Sequence, residues 1–191
     1  ANTIVSQTLG NIDPGLAKFA GAAVFPVGLM LVVIAGAELF TGNNLMTLAV
    51  MNKKITTGQM LKNWSVVWVS NLVGSVLLAL IVVYTGVLDG DAGTKAIAIA
   101  EGKVSLSVMT MIGRGILCNV LVVLAVWMAT SSQDIISKIF ACWFPIMLFV
   151  LCGFEHSVAN MYFIPAGMLL GAKITMGALI KNLVCVTIGN I

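Results

Sequence analysis

Four stretches of this chain carry no charged side chain: Phe19–Ala37, Asn63–Leu88, Gly115–Gln133 and Ile139–Phe154. A helix crosses a hydrocarbon core of about 30 Å with roughly 20 residues, a length that most of these runs approach or exceed and the last falls short of. Backbone polar groups must be satisfied internally in lipid, so runs of this kind predict an all-α membrane protein. Composition agrees, with 60% hydrophobic residues, 9% charged residues and a mean hydropathy of +1.08. The net charge of +3 is small and scattered, which argues against nucleic acid as a partner and leaves the lipid bilayer as the surroundings. Cys118, Cys142, Cys152 and Cys185 lack the paired spacing of a metal or redox motif and read as small core residues. No metal and no cofactor is called for. The N-terminal residues show no basic region followed by an apolar core and a cleavage site, and so give no sign of a removable signal peptide.

Two parts of the chain repeat each other. GAELFTGNN at Gly36–Asn44 parallels GFEHSVANM at Gly153–Met161, and KITTGQMLKNW at Lys54–Trp64 parallels KITMGALIKNL at Lys173–Leu183. Glu38 answers Glu155 and Asn43 answers Asn160; at a slightly larger offset Asn63 answers Asn182 and Asn71 answers Asn190. Apolar helices resemble one another by chance, but chance rarely keeps the polar residues in order, so a duplicated unit with one small insertion is expected. Two full spans separate the copies, which predicts that they face opposite ways, as in transporters whose broken helices meet at the bilayer midplane. Each copy has polar residues in the middle of an apolar run too long for one span, so each is expected to hold two half-helices. The alignment of the copies predicts six spans, with part of the first and most of the last outside these 191 residues. The whole is read as one channel domain, residues 1–191, with a first repeat at about 1–88 and a second at about 104–191.

His156 is the only histidine, and it adjoins Glu155 within the second break. Ionisable groups at membrane depth usually mark a substrate or proton path, because placing them there costs roughly 2.5 kcal/mol or more each. An imidazole can change charge near neutral pH, so it can hold an anion or exchange a proton with a weak acid. Thr41 and Ser157 lie at or just before the second half-helices, where free amides attract anions and where a hydroxyl also caps. Glu38 and Glu155 would repel an anion, so they are assigned to structural support of the broken backbone, as acceptors from its free amides. For Arg114 the preferred reading is a salt bridge to a glutamate.

AELFTGN at Ala37–Asn43, NLVGS at Asn71–Ser75, GILCNVLVVLAVWMA at Gly115–Ala129 and GFEHSVANM at Gly153–Met161 together resemble the formate/nitrite transporter family. The resemblance implies an aquaporin-like protomer of six spans, with its first and last spans incomplete here, and a homopentamer with one path per protomer. It implies a multi-pass protein of the cell's inner membrane, and no enzyme, that passes a small monovalent weak-acid anion. Formate is favoured, with nitrite and hydrosulfide as alternatives. By the same resemblance His156, Thr41 and Asn119 line the path, Lys103 stands near its mouth, and Phe25, Leu29, Leu39 and Phe149 form apolar constrictions that strip water from a passing ion. Lys103 follows what reads as a polar loop with Asp89, Asp91, Lys95 and Glu101. Lysines are spread over both sides, so charge does not fix the orientation; the resemblance puts the Lys53 loop in the cytoplasm.

Two other readings are weaker. A neutral-solute pore of the aquaporin kind lacks its paired Asn-Pro-Ala boxes, and an intramembrane acid/base enzyme built on Glu155 and His156 lacks a second histidine, a nucleophile constellation or a metal motif.

Overall fold

Asp13, Thr56, Ser107, Asp134 and Thr175 each stand just before a helix and accept a hydrogen bond from an amide in its first turn. These caps satisfy donors that a helix leaves free at its start. At Asp134 the Ser137 hydroxyl and amide also hold the carboxyl below the usual carboxylate range. The computed structural model describes Ala1–Ile191 as helices and turns without a strand. In chain order these are α1 (Asn2–Gly10), α2 (Pro14–Val24), α3 (Val27–Ala35), a 3-10 turn (Gly42–Leu45), α4 (Met46–Met51), α5 (Thr57–Tyr84), α6 (Asp91–Val104), α7 (Val108–Ser131), α8 (Ile135–Cys152), α9 (Ser157–Leu169) and α10 (Met176–Asn190).

Four segments are long and apolar enough to cross a membrane: Pro14–Ala35, α5, α7 and α8. The first is interrupted at Phe25–Pro26, where Pro26 has no N–H to give to the helix. The charged segment read from sequence as a loop is for the most part helix. Lys95, Glu101 and Lys103 all lie on α6, and Lys103 sits in its last turn. Gly86 and Gly90, both at positive φ, confine the irregular chain to the few residues between α5 and α6.

Both expected helix breaks are present. α3 ends at Gly36 and α8 at Gly153, each a left-handed glycine, with φ 79° and 72°. A residue with a Cβ is disfavoured in this conformation, so these glycines stop the helices where the polar motifs begin. A core of Leu29, Cys118, Val122, Ala125, Cys142, Ile146 and Phe149 joins α3, α7 and α8 beside the breaks. α9 packs between α5 and α6, and α10 lies against α7. Leu77 and Ile81 on α5, like Ile116 and Val120 on α7, face outward, as lipid-facing side chains do. Cys118 and Cys142 are buried as expected, but Cys152 is exposed and Cys185 half-buried, because their positions turn off the packed face.

α7 and α10 approach each other through Gly115 and Gly189. A Cβ on Gly115 would lie 3.0 Å from the Gly189 Cα, and a Cβ on Gly189 would strike the Ile112 carbonyl. The contact is backbone on backbone, so no rotamer change relieves it. Gly189→Ala is expected to force these helices apart and to cost about 1–3 kcal/mol, read as a lower melting temperature in detergent, whereas Gly74→Ala, with open space around it, leaves that temperature unchanged.

Candidate functional site

A helix interrupted inside a membrane exposes peptide groups that water cannot reach, and each must find a partner within the protein. Here side-chain amides supply them. At the first break Asn71 donates to the Glu38 carbonyl (3.1 Å) and accepts from the Phe40 amide (3.0 Å). At the second, Asn190 donates to the Glu155 carbonyl (3.0 Å) and accepts from the Ser157 amide (2.8 Å). Asn43 donates to the Glu38 carboxylate and to Asn63 Oδ1 (2.8 Å), and in the same way Asn160 donates to Glu155 Oε2 (2.7 Å) and Asn182 Oδ1 (2.8 Å). The polar residues matched between the two sequence motifs therefore make the same bonds at both breaks.

The partners of the glutamates are not those the sequence suggested. Neither carboxylate caps backbone amides. Glu38 is held by Asn43, and buried Glu155 by Asn160 and Lys103. Lys103 Nζ lies 3.1 Å from both Glu155 oxygens and 5.7 Å from the centre of the Phe163 ring, so the ammonium has a carboxylate on one side and an aromatic ring near it. Asn182 fixes the end of α6 by donating to the Lys103 carbonyl (2.9 Å). Arg114 makes no salt bridge; it donates to the Gly153 carbonyl at 3.3 Å, because Lys103 already occupies the one buried carboxylate near it.

His156 is the N-cap of α9. Its Nδ1 accepts from the Ala159 amide at 3.1 Å, and its Nε2 lies 2.9 Å from Thr41 Oγ1. A ring nitrogen that accepts an N–H carries no proton, so the neutral ring bears its proton on Nε2 and donates it to Thr41. Thr41 keeps its own hydroxyl proton to give elsewhere. Nε2–H is thus spent on Thr41, and an anion gains it only by taking the place of Thr41 as its acceptor. Capping falls to the histidine: the Thr41 hydroxyl makes no cap bond, and Ser157 Oγ is buried without a partner.

Two cavities share Phe25, Phe149, His156 and Phe163 in their walls. One, about 610 Å³, also holds Lys18, Lys95 and Lys103; the other, about 560 Å³, is lined by apolar residues that include Leu29, Leu39 and Val82. Phe149 stacks on His156 with ring centres 5.8 Å apart and meets Phe25 edge-on at 5.7 Å. Of the four expected constriction residues, Phe25 and Phe149 stand with the histidine where the lysine-bearing and apolar chambers meet, and Leu29 and Leu39 line the apolar chamber alone. Thr41 is wholly buried behind His156. Asn119 lies outside both chambers, and its amide is turned to the Asn190 carbonyl. Sequence reasoning missed Lys18 and Lys95, whose signal was only charge beside an apolar run, and Phe163, which nothing in the pattern distinguishes from a core phenylalanine.

The family model described as formate/nitrite transporter matches residues 1–191. A probable formate transporter of Methanothermobacter thermautotrophicus is 49% identical over 93% of this chain and 71% of its own length. The formate channel FocA of Escherichia coli K12 is 36% identical over 95% of the chain and 72% of its own. A solved pentameric formate channel with formate bound superposes with a TM-score of 0.90 at 33% identity, covering 99% of this chain and 83% of that one.

Removing one member of a buried ion pair leaves the other charge unpaired. Lys103→Met is expected to destabilise the protein by about 3 kcal/mol in a denaturant titration, and the Lys103→Met/Glu155→Gln double variant to recover most of that loss. Lys95→Met should have a much smaller effect, since Lys95 has no carboxylate partner.

Proposed function

The chain belongs to the formate/nitrite transporter family and is a membrane transport protein, not an enzyme; from that premise we propose that it passes a small monovalent carboxylate, formate, through the path centred on His156. Nitrite and hydrosulfide share the charge and small size that the site asks for, and they stand as alternatives. The observation that carries the reading is His156 in the wall of both chambers, its Nε2–H held by Thr41 and able to turn to an anion, beside the apolar side chains of Phe25, Leu29, Leu39 and Phe149.

A carboxylate is anionic at neutral pH. Lys18, Lys95 and Lys103 give the first chamber three positive charges against one buried carboxylate, which raises the local concentration of anions. His156 stands in the wall that this chamber shares with the apolar one, where the phenylalanines and leucines offer no polar group, so an anion passing on sheds water as it meets Nε2–H. That donor replaces part of the lost hydration. Full proton transfer is a different matter, because a neutral imidazole that gave up Nε2–H would become an anion itself. To protonate the substrate, His156 must first be an imidazolium with both nitrogens as donors, and the bond from Ala159 to Nδ1 must break. The geometry described here therefore favours hydrogen-bonded passage, with proton exchange reached by releasing the cap. Asn119 supports the path from behind, through Asn190, rather than by touching the anion.

We also propose that the protein works as a homopentamer in the inner membrane, each protomer with its own path, on the likeness to the pentameric channel. The outward apolar faces of α5 and α7 are compatible with lipid or with neighbouring protomers.

Reconstitution into liposomes tests the reading. Formate uptake is expected in the wild type, with a step in the pH profile that His156→Gln abolishes; absence of formate, nitrite and hydrosulfide flux from a folded, reconstituted protein would overturn it. The combined Lys18→Gln/Lys95→Gln variant should lower formate flux about threefold in 10 mM salt, and the difference should vanish in about 1 M salt, where charges are screened beyond about 3 Å.

A further inference from the structure

We infer that Asn71 and Asn190 are positioning residues, each fixing one of the two side chains that decide what passes: Asn71 sets Leu39, and Asn190 sets His156. This rests on the transport reading above and adds to it a division of labour between the two halves.

The geometry is a bracket. A carboxamide presents a donor and an acceptor in one plane, so it can bind the carbonyl before a residue and the amide after it at the same time. Asn71 spans Glu38 to Phe40 in this way and Asn190 spans Glu155 to Ser157, at distances between 2.8 and 3.1 Å. The residue enclosed has both neighbouring peptide groups fixed, which sets the direction of its side chain. In one bracket that residue is Leu39, a wall of the apolar chamber; in the other it is His156, a wall of both chambers.

The brackets satisfy the bare peptide groups of the breaks, and neither asparagine lines a chamber itself. Asn190 is fully buried, and its two donated bonds go to the Glu155 and Gly115 carbonyls, the latter at 2.9 Å, so it has no donor left for an anion. Both asparagines stand on helices, α5 and α10, that are anchored elsewhere, Asn190 by the close approach of Gly115 and Gly189. The same device thus carries an apolar side chain in one half and a polar one in the other. Leu39 governs dehydration and His156 governs hydrogen bonding. The charged groups that share the His156 chamber are Lys18 from α2, Lys95 and Lys103 from α6, and Glu155 beside it; no bracket bond touches their side chains.

Asn71→Ser and Asn190→Ser, compared with wild type in formate- and chloride-flux assays across pH, separate the two roles. Asn71→Ser is expected to raise the chloride-to-formate ratio at least about fivefold while keeping the wild-type pH profile. Asn190→Ser is expected to lower formate flux about tenfold or more and flatten the pH profile, with the ratio unchanged. Equal changes from both variants in every readout, or wild-type transport per folded molecule, would overturn the assignment. Should either variant fail to assemble, hydrogen exchange of the reconstituted wild type decides: slow exchange at the Phe40 and Ser157 amides supports the brackets, and exchange at the rate of an open loop refutes them. A wild type that shows slow exchange there but passes no anion refutes the transport reading and leaves the brackets standing.

Discussion

Two helices stop inside the span of a membrane, and every peptide group they leave bare must be matched by protein. That constraint organises the rest of the molecule. It explains why an asparagine reaches each break from a distant helix, Asn71 and Asn190 serving the bare peptide groups, while Asn43 and Asn160 hold the two glutamate carboxylates. An amide can serve a carbonyl and an N–H without bringing a charge into lipid, which a lysine or an aspartate cannot do. The glycines that end α3 and α8 create the gaps, and the asparagines from distant helices make them tolerable.

The buried charge is handled by the same logic. Glu155 lies next to a path for anions, where an unpaired carboxylate would repel the substrate. Lys103 and Asn160 absorb its oxygens, so the field it presents to the chamber is largely neutralised while Lys18 and Lys95 remain without a carboxylate partner. α6 is what makes this possible. A flexible loop could bring a lysine near the membrane, but a helix whose last turn is tied by Asn182 brings it to a fixed point.

Much of the site could be read before any fold was known. His156 and Thr41 stood out by their motifs and lie 2.9 Å apart, while Phe25, Leu29, Leu39 and Phe149, which only the family resemblance selected, line one or both of the chambers that His156 borders. The readings that changed share a cause. Arg114 bonds a carbonyl, Asn119 faces Asn190, and Glu155 takes Lys103 in preference to amides, because partner choice among polar groups depends on which helix lies nearest and at what rotation. Nothing local to Arg114 tells it that α6 delivers a lysine to the carboxylate first. The interruption at Pro26 lies within a uniformly apolar run, so hydropathy does not mark it.

By itself the sequence determined that the chain lives in lipid, that it is helical, that its polar motifs are duplicated and where its helices break, since these follow from hydropathy, length and the conformational freedom of glycine, which act within a few residues. Only the tertiary structure decided that His156 caps α9 with its proton on Nε2 toward Thr41, that Lys103 neutralises Glu155, and that Asn71 and Asn190 grip the chain on either side of Leu39 and His156. Apart from the cap to Ala159, those are pairings between residues far apart along the chain, up to 115 positions for Thr41 and His156. A hydrogen bond is set by distance and angle, and packing alone fixes both.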